Sequence, residues 1–136
     1  MKRRGVDLSI IVDRKNLENP SCAKEQSSVV ALMEWGVPFR MRRPHPGMTS
    51  AQHEKCWLFD ETLLVCGSMN LTENSVWKCG EAAIFTKEVN AVKDFVQHFP
   101  KVWNDATPID IDMVKGLMAK REASRSKSSK SSASND

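Results

Sequence analysis

The sequence has 136 residues, of which 40% are hydrophobic and 27% charged, as expected for one globular domain with a modest core. The formal net charge is +3. From Lys120 onward five basic residues stand against two acidic ones, which leaves 15 of each sign in residues 1–119. A neutral body excludes a uniformly basic nucleic-acid-binding domain, so any attraction of a polyanion must come from local patches or the C-terminal end. No run reaches the roughly 18 apolar residues of a membrane helix.

Apolar runs and turn residues predict an alternation of strands and helices along the body. The predicted strands are residues 5–13, 37–41, 57–59, 63–65 and 81–85, and the predicted helices are residues 23–35, a segment from residue 87 that Pro100 ends or kinks, and a weaker one at 108–118. Loops are predicted at residues 14–22 and 42–50, and a polar connection at 71–80. This order indicates an α/β or α+β domain.

The C-terminal segment has a different composition. Residues 123–136 are rich in Ser and Lys and contain no large apolar residue, so they cannot bury enough surface to offset the cost of ordering. We therefore predict two regions, a folded domain at 1–119 and a disordered tail at 120–136. The tail is either simply solvated or an electrostatic arm for nucleic acid or anionic lipid.

The cysteines indicate a reducing environment. Cys22, Cys56, Cys66 and Cys79 are widely spaced and form neither a C-x-x-C pair nor a Cys/His cluster with zinc-ligand spacing. Cys56 and Cys66 fall in strand-like runs, where a free cysteine usually packs as a small hydrophobic residue. We expect an intracellular protein, cytoplasmic or mitochondrial, because thiols stay reduced there.

The strongest signal is the stretch from His53 to Asn70, HEKCWLFDETLLVCGSMN. It reads His-x-Lys, four residues, Asp60, six residues, then Gly-Ser-x-Asn. Two apolar runs on either side of residues 60–62 predict two short strands joined by a turn. A strand–turn–strand unit holds polar groups rigidly at the edge of a sheet, as a catalytic site requires.

The residue types in this stretch favour phosphate chemistry. Lys55 and Asn70 offer a fixed positive charge and amide donors, which suit phosphate oxygens. His53 can attack phosphorus covalently or move a proton near neutral pH. No serine–histidine–acid elbow accompanies them. The set therefore favours phosphodiester cleavage over acyl transfer.

The stretch resembles the HKD motif of the phospholipase D superfamily at all six specified positions, and the resemblance extends from about residue 2 to Trp103. The lead-in KRRGVDLSIIVD is similar to the family's strand ahead of the motif. The resemblance implies an α/β (α+β) fold, a phospholipase D-like mixed sheet flanked by helices. Family domains begin with a further strand and helix, and the strand lies centrally in the sheet. We therefore expect this chain to lack the family's first strand and helix and to leave sheet edges unpaired.

The resemblance also implies a mechanism that needs no metal and no cofactor. Family members with a single motif work as homodimers with a shared active site. His53 of one subunit would attack phosphorus and form a phosphohistidine, and His53 of the other would protonate the leaving oxygen. Lys55, Ser68 and Asn70 would hold the phosphate oxygens.

The same resemblance also implies roles for two acidic residues, Glu81 and Asp60. Glu81 stands eleven positions after Asn70, where the family has an acidic residue, and would hold the second imidazole nitrogen of the histidine. Asp60 is expected to brace the turn rather than to touch substrate. Cys79 stands where the family often has asparagine.

The substrate is left open between two phosphodiesters. Arg40, Arg42 and Arg43 precede the motif and could track the phosphate backbone of nucleic acid, which favours a nuclease, whereas a solvated arginine strand is the alternative. A phospholipase D or cardiolipin hydrolase acting on phospholipid is the second hypothesis. The third is a weakly active or inactive binding module that depends on a partner.

Overall fold

The structure is a computed structural model that describes residues 5–45, 50–70 and 72–132, with the side chains of residue 73 and of 125–132 excepted. The predicted lead-in at residues 2–4 and part of the predicted loop, residues 46–49, lie outside the described residues. The strands are β1 Ile10–Asp13, β2 Phe39–Arg42, β3 Cys56–Phe59, β4 Leu63–Gly67, β5 Ala83–Thr86 and β6 Thr107–Pro108. The helices are α1 Arg14–Glu18, α2 Ala23–Glu34, α3 Glu73–Trp77, α4 Val89–Asp105 and α5 Ile111–Ser132.

The chain divides into two compact units, and each contains one sheet. The terminal unit comprises residues 1–51 and 107–136, and the motif unit comprises residues 52–106. The strands form two three-stranded sheets, β1-β2-β6 in the terminal unit and β3-β4-β5 in the motif unit. The predicted mixed α/β class is therefore confirmed, with its strands divided between two sheets.

The terminal unit is built on the parallel pairing of β1 with β2, while β6 adds to β2 antiparallel. Its core is apolar and consists of Leu17, Val29, Val37, Phe39, Met41, Ile109 and Val114. Gln26 is also buried, and its side-chain amide donates to the carbonyl of Leu17 at 2.7 Å. That hydrogen bond ties α2 to α1 and satisfies the amide N–H, whereas the amide oxygen is buried without a hydrogen-bond partner among the described residues.

Helix α1 occupies part of the region that the sequence predicts as a loop, residues 14–22. Its N-cap is Asp13, the last residue of β1, whose carboxylate accepts from the backbone N–H of Asn16 at 2.9 Å. The acidic residue that ends the strand therefore starts the helix. Helix α3 lies likewise in the predicted polar connection and is capped by Thr72.

Helix α5 continues beyond the predicted end at residue 118 and runs to Ser132. Val114 is fully buried and Leu117 packs against the core, so the first turns are fixed by packing. Ala, Lys, Arg and Glu at 119–123 are good helix formers, which lets the helix propagate past its packed part. The division into 1–119 and 120–136 stays a prediction.

The motif unit is an antiparallel meander with one long helix packed on it. Residues 56–59 of β3 pair with 63–66 of β4, and residues 64–67 of β4 pair with 83–86 of β5. Helix α4 packs against β3 and β4. The sequence predicts that Pro100 ends or kinks the helix, and the structure excludes the first outcome, because α4 continues to Asp105. Pro100 is exposed and removes only the donor to the Val96 carbonyl, while Val92 and Val102 are buried on either side of it.

The turn between β3 and β4 is tight. Asp60 and Glu61 both have positive φ, 49° and 52°, and the Thr62 N–H donates to the Phe59 carbonyl at 3.0 Å. Two central residues with positive φ are typical of hairpin turns whose twist matches that of the strands. Asp60 therefore lies in the turn, as predicted.

The contact at Gly67 fixes how closely β5 approaches β4. A Cβ atom on Gly67 would lie 2.2 Å from the carbonyl oxygen of Ala82 and 2.8 Å from the Cα of Ala83. Both are backbone atoms, so no side chain can move aside. Only glycine fits here.

We predict that Gly67→Ala lowers the free energy of unfolding by about 2–3 kcal/mol, because the strand pair must separate to admit the methyl group. Urea unfolding followed by circular dichroism measures it. The matched control is Gly116→Ala within α5, where an added Cβ meets nothing within 4 Å; this change should be neutral or stabilising by up to about 1 kcal/mol. Equal midpoints for Gly67→Ala and the unsubstituted protein would contradict the prediction.

Candidate functional site

The hairpin brings Lys55 and Ser68 to the same end of the motif unit. The Gly67 N–H donates to the Lys55 carbonyl at 3.1 Å, one residue beyond the assigned start of β3. Ser68 follows Gly67 directly. The two halves of the motif, separated by twelve residues of chain from 56 to 67, are therefore adjacent.

Ser68 is fastened to the chain that leads into β5. Its backbone N–H donates to the Ala82 carbonyl at 3.0 Å, and the Ala82 N–H donates to the Ser68 hydroxyl oxygen at 3.2 Å. The Ser68 hydroxyl in turn donates to the carboxylate of Glu81. The structure thus joins Ser68 and Glu81, which the sequence places thirteen positions apart.

Glu81 is held in its ionised form. The hydrogen bond from Ser68 lowers the pKa of its carboxyl group most, followed by the hydrogen bond from Ser75, while slight desolvation opposes them and the positive charge of Lys55 adds a smaller lowering. Hydrogen bonds to the charged form and a nearby opposite charge both favour ionisation. Lys55, Ser68, Ser75 and Glu81 therefore form one electrostatic cluster.

Ser75 is the member of this cluster that the sequence analysis missed. It lies in α3 and is buried, with 6% of its surface exposed, and its N–H donates to the Thr72 hydroxyl at 3.2 Å. Thr72 is a residue type favoured at helix N-caps, and this preference could have located the start of α3. Nothing in the sequence indicates that Ser75 also reaches Glu81.

His53 and Asn70, the first and last positions of the motif, are both exposed. Among the described residues the imidazole of His53 makes no hydrogen bond, while its backbone carbonyl accepts from the Lys55 ammonium at 2.8 Å. Among the described residues the hydrogen-bond partners of Glu81 are serines, so its predicted contact with an imidazole stays a prediction. The phosphate-binding roles of Lys55, Ser68 and Asn70 also stay predictions.

A second contact holds the His53–Lys55 segment to the helix. His98 on α4 lies 3.3 Å from the carboxylate of Glu54, with both side chains close to half exposed. The contact joins two residues 44 positions apart. It therefore ties the start of the motif to α4, which packs on the hairpin.

The three arginines belong to the terminal unit. Arg40 and Arg42 are half-buried on β2, and Arg43 is exposed directly after it. Arg43 lines a depression of about 310 Å³ together with Arg14, Lys15, Glu18, Asn19 and Pro20. Their contact with a phosphate backbone stays a prediction.

Two properties of the described residues concern the surroundings of the site. In that part of the chain, no group of three or more His, Cys, Asp or Glu side chains is placed to hold a metal ion. None of the described helices is long and apolar enough to cross a membrane.

Comparisons with known proteins agree with the motif. The family model described as "Cardiolipin synthase, PLD-like domain" matches residues 1–103. The mitochondrial cardiolipin hydrolase of Danio rerio is 30% identical over 115 residues, which cover 83% of this chain and 46% of the relative. That of Xenopus tropicalis is 28% identical over 109 residues, 80% of this chain and 48% of the relative. The chain spans about half the length of these relatives.

Among solved structures, the chain is similar to a phospholipase D family member, Nuc from Salmonella typhimurium. The TM-score is 0.64 and the identity 24%, over 79% of this chain and 67% of that chain. This likeness concerns the fold, and it confirms the predicted phospholipase D-like α/β class.

We predict that Ser68→Ala raises the pKa of Glu81, because the substitution removes the hydrogen bond that lowers it most. Ser75→Ala should raise it less. A carbon-detected NMR titration of the glutamate carboxyl groups measures both changes.

Glu88 is the internal control for this titration. Its pKa is lowered by backbone hydrogen bonds from Asn90 and Ala91, and it should not respond to Ser68→Ala. Because the pKa of Glu81 is lowered on folding, its contribution to stability is present above its unfolded-state pKa and is lost as the pH falls through the folded-state value. If the pKa of Glu81 is the same in Ser68→Ala as in the unsubstituted protein, the hydrogen bond from Ser68 does not hold Glu81 in the electrostatic cluster.

Proposed function

Because the chain belongs to the phospholipase D-like family, whose model covers residues 1–103, we propose that it hydrolyses phosphodiester bonds with His53 as the nucleophile. The observation that carries the proposal is the complete motif on one hairpin, with Lys55 and Ser68 brought together at one end and Glu81 attached to them. Members of this family act on phosphodiester bonds, and the arrangement suits that chemistry.

The proposed reaction has two displacements. A ring nitrogen of His53 attacks phosphorus, the ester P–O bond breaks, and a second histidine gives its proton to the leaving oxygen. Water then attacks the phosphohistidine, gives a proton back to the second histidine, and breaks the P–N bond. Lys55 and Asn70 would stabilise the charge that develops on the phosphate oxygens in both steps.

The second histidine is proposed to come from a second copy of the chain. One imidazole cannot be nucleophile and proton donor in the same step. His98, the other histidine of the motif unit, already contacts Glu54. A homodimer that brings two copies of His53 together would supply both roles from one sequence. In such a dimer Glu81, already ionised, is the proposed acceptor for an imidazole N–H.

We place cardiolipin or a similar acidic phospholipid first among the substrates. Two relatives, at 30% and 28% identity, are named mitochondrial cardiolipin hydrolases. Their names support a phospholipid substrate and, of the two predicted intracellular locations, the mitochondrial one over the cytoplasmic one. The sequence analysis favoured nucleic acid because of Arg40, Arg42 and Arg43. These residues belong to the terminal unit, whereas His53 belongs to the motif unit.

Nucleic acid is the second candidate substrate, and one observation favours it. Arg43 shares its depression with Arg14 and Lys15, and clustered basic side chains attract a phosphate backbone. Because such contacts release counterions, cleavage of nucleic acid should fall steeply as salt concentration rises.

We predict that the protein cleaves one of these substrates in EDTA and that His53→Ala reduces the rate by about 10³-fold or more, as expected when a covalent nucleophile is lost. The protein is incubated in parallel with cardiolipin vesicles, single-stranded DNA and RNA, and cleavage of each is measured. His45→Ala is the matched control, since it removes a histidine outside the motif and leaves the backbone hydrogen bonds of His45 to Ser50 intact. If a folded dimer cleaves none of these substrates, the phosphodiesterase proposal is wrong, and the hypothesis of a partner-dependent binding module remains.

We also predict that the protein in solution has twice the mass of one chain, because the reaction needs two copies of His53. Light scattering coupled to size exclusion measures the mass. A strict monomer that still cleaves substrate would contradict the shared active site while leaving the phosphodiesterase proposal standing.

A further inference from the structure

Two thiols face each other inside the hairpin that carries the motif. The Sγ atoms of Cys56 on β3 and Cys66 on β4 lie 2.9 Å apart, and both residues are partly buried. They are direct partners in the strand register. The proposed phosphodiester chemistry uses neither of them.

The register places this pair where a disulfide fits. The Gly67 N–H donates to the Lys55 carbonyl, so residues 55 and 67 form a hydrogen-bonded pair. Hydrogen-bonded and non-hydrogen-bonded pairs alternate along an antiparallel ladder. Cys56 and Cys66 are therefore a non-hydrogen-bonded pair, with Cα atoms about 4.5 Å apart and side chains close together. That separation lies within the range of about 4.4–6.8 Å that disulfides span.

The pair also adjoins the residues of the site. Cys56 directly follows Lys55, and Cys66 is separated from Ser68 only by Gly67. A covalent bond between the two sulfur atoms would join the strands at the end of the hairpin where Lys55 and Ser68 lie. The sulfur atoms need to approach by less than about 1 Å to reach the bond length of about 2.05 Å, which side-chain rotation can supply.

We propose that Cys56 and Cys66 are an oxidation site, at which a peroxide forms a reversible disulfide that clamps β3 to β4 beside Lys55 and Ser68. This inference goes beyond the proposed function and does not depend on it. It concerns a modification of the chain, and bond formation is measured by mass rather than by activity.

The reaction balances with one molecule of hydrogen peroxide. The Cys66 thiolate attacks one peroxide oxygen, the O–O bond breaks, and the cysteine becomes a sulfenic acid while the departing hydroxide takes a proton to form water. The Cys56 sulfur then attacks the Cys66 sulfur, the S–O bond breaks, and the hydroxyl leaves with the Cys56 proton as a second water. Two thiols and one peroxide give one disulfide and two waters.

The environment of Cys56 disfavours its thiolate. Burial, followed by the contact with Cys66 and by the negative charge of Glu54, raises the pKa of Cys56 to about 12. A thiol with a raised pKa holds little thiolate at neutral pH and attacks peroxide slowly. Cys56 therefore suits the resolving position, where the neighbouring sulfenic acid lies within contact distance.

The experiment uses the full chain and exploits Glu61, which lies between the two cysteines. Protein is treated with hydrogen peroxide, alkylated with iodoacetamide and digested without reduction by a glutamate-specific protease. Cleavage after residues 54, 61 and 73 gives fragments 55–61 and 62–73, each with a single cysteine. We expect these two fragments to stay linked and unalkylated, with the mass of the pair lower by two hydrogen atoms, and to separate on addition of dithiothreitol.

The remaining cysteines supply the controls. The double variant Cys22→Ser/Cys79→Ser should form the same linked fragments, and Cys66→Ser should not. Full alkylation of Cys56 and Cys66 after peroxide treatment of the folded wild-type protein would overturn the proposal. So would a bond from either residue to Cys79 or to a second chain. These wild-type results decide the question even if Cys66→Ser fails to fold.

The stabilising effect of the disulfide is measured separately from its formation. In the Cys22→Ser/Cys79→Ser background, oxidation should raise the midpoint of thermal unfolding by several degrees, because the bond closes a loop in the unfolded chain, and dithiothreitol should reverse the rise. An unchanged midpoint with the bond present would overturn the clamping role.

Discussion

The site depends on the contact of β4 with the residues that lead into β5 at Gly67. An added Cβ would lie 2.2 Å from the Ala82 carbonyl oxygen, so the close approach exists only because residue 67 has no side chain. That approach allows Ser68 and Ala82 to exchange two hydrogen bonds. It also brings the Glu81 carboxylate within reach of the Ser68 hydroxyl. The glycine of the motif is therefore required for the close packing of β4 against Ala82 and Ala83. The serine after it links β4 to Ala82 and Glu81 by hydrogen bonds.

Sequence patterns predicted the elements that have their own local signals. Apolar runs on either side of a predicted turn located β3 and β4, and the helix predicted at residues 23–35 corresponds to α2, which ends at Glu34. The patterns failed where one buried contact outweighs local propensity. Pro100 is tolerated because the buried valines on both sides hold α4 together, and β6 has only two residues, too few for any periodic signal.

The residues of the candidate site also fall into two groups, those that the sequence could reveal and those that only the fold reveals. Fixed spacing identified the six motif positions, and the family resemblance added Glu81. Neither could reveal Ser75, because its role arises from the fold of α3 and leaves no mark in the spacing. The arginines illustrate the opposite case. A basic run is easily seen in sequence, but Arg40 and Arg42 are half-buried on β2, and a strand position of that kind is as well explained by packing of their aliphatic stems as by phosphate binding.

The electrostatics of Glu81 fit the role that we propose for it in a shared active site. A general acid or base works best with a pKa near the working pH, but the pKa of Glu81 is lowered by Ser68, Ser75 and Lys55. Glu81 is thus unsuited to move protons and well suited to be a constant negative charge. Such a charge stabilises an imidazolium and fixes its orientation without itself taking the proton. Among the described residues its hydrogen-bond partners are serines, so the charge is in place without an imidazole. In the proposed dimer, a site prepared in this way would need little reorganisation to accept the histidine of the second copy.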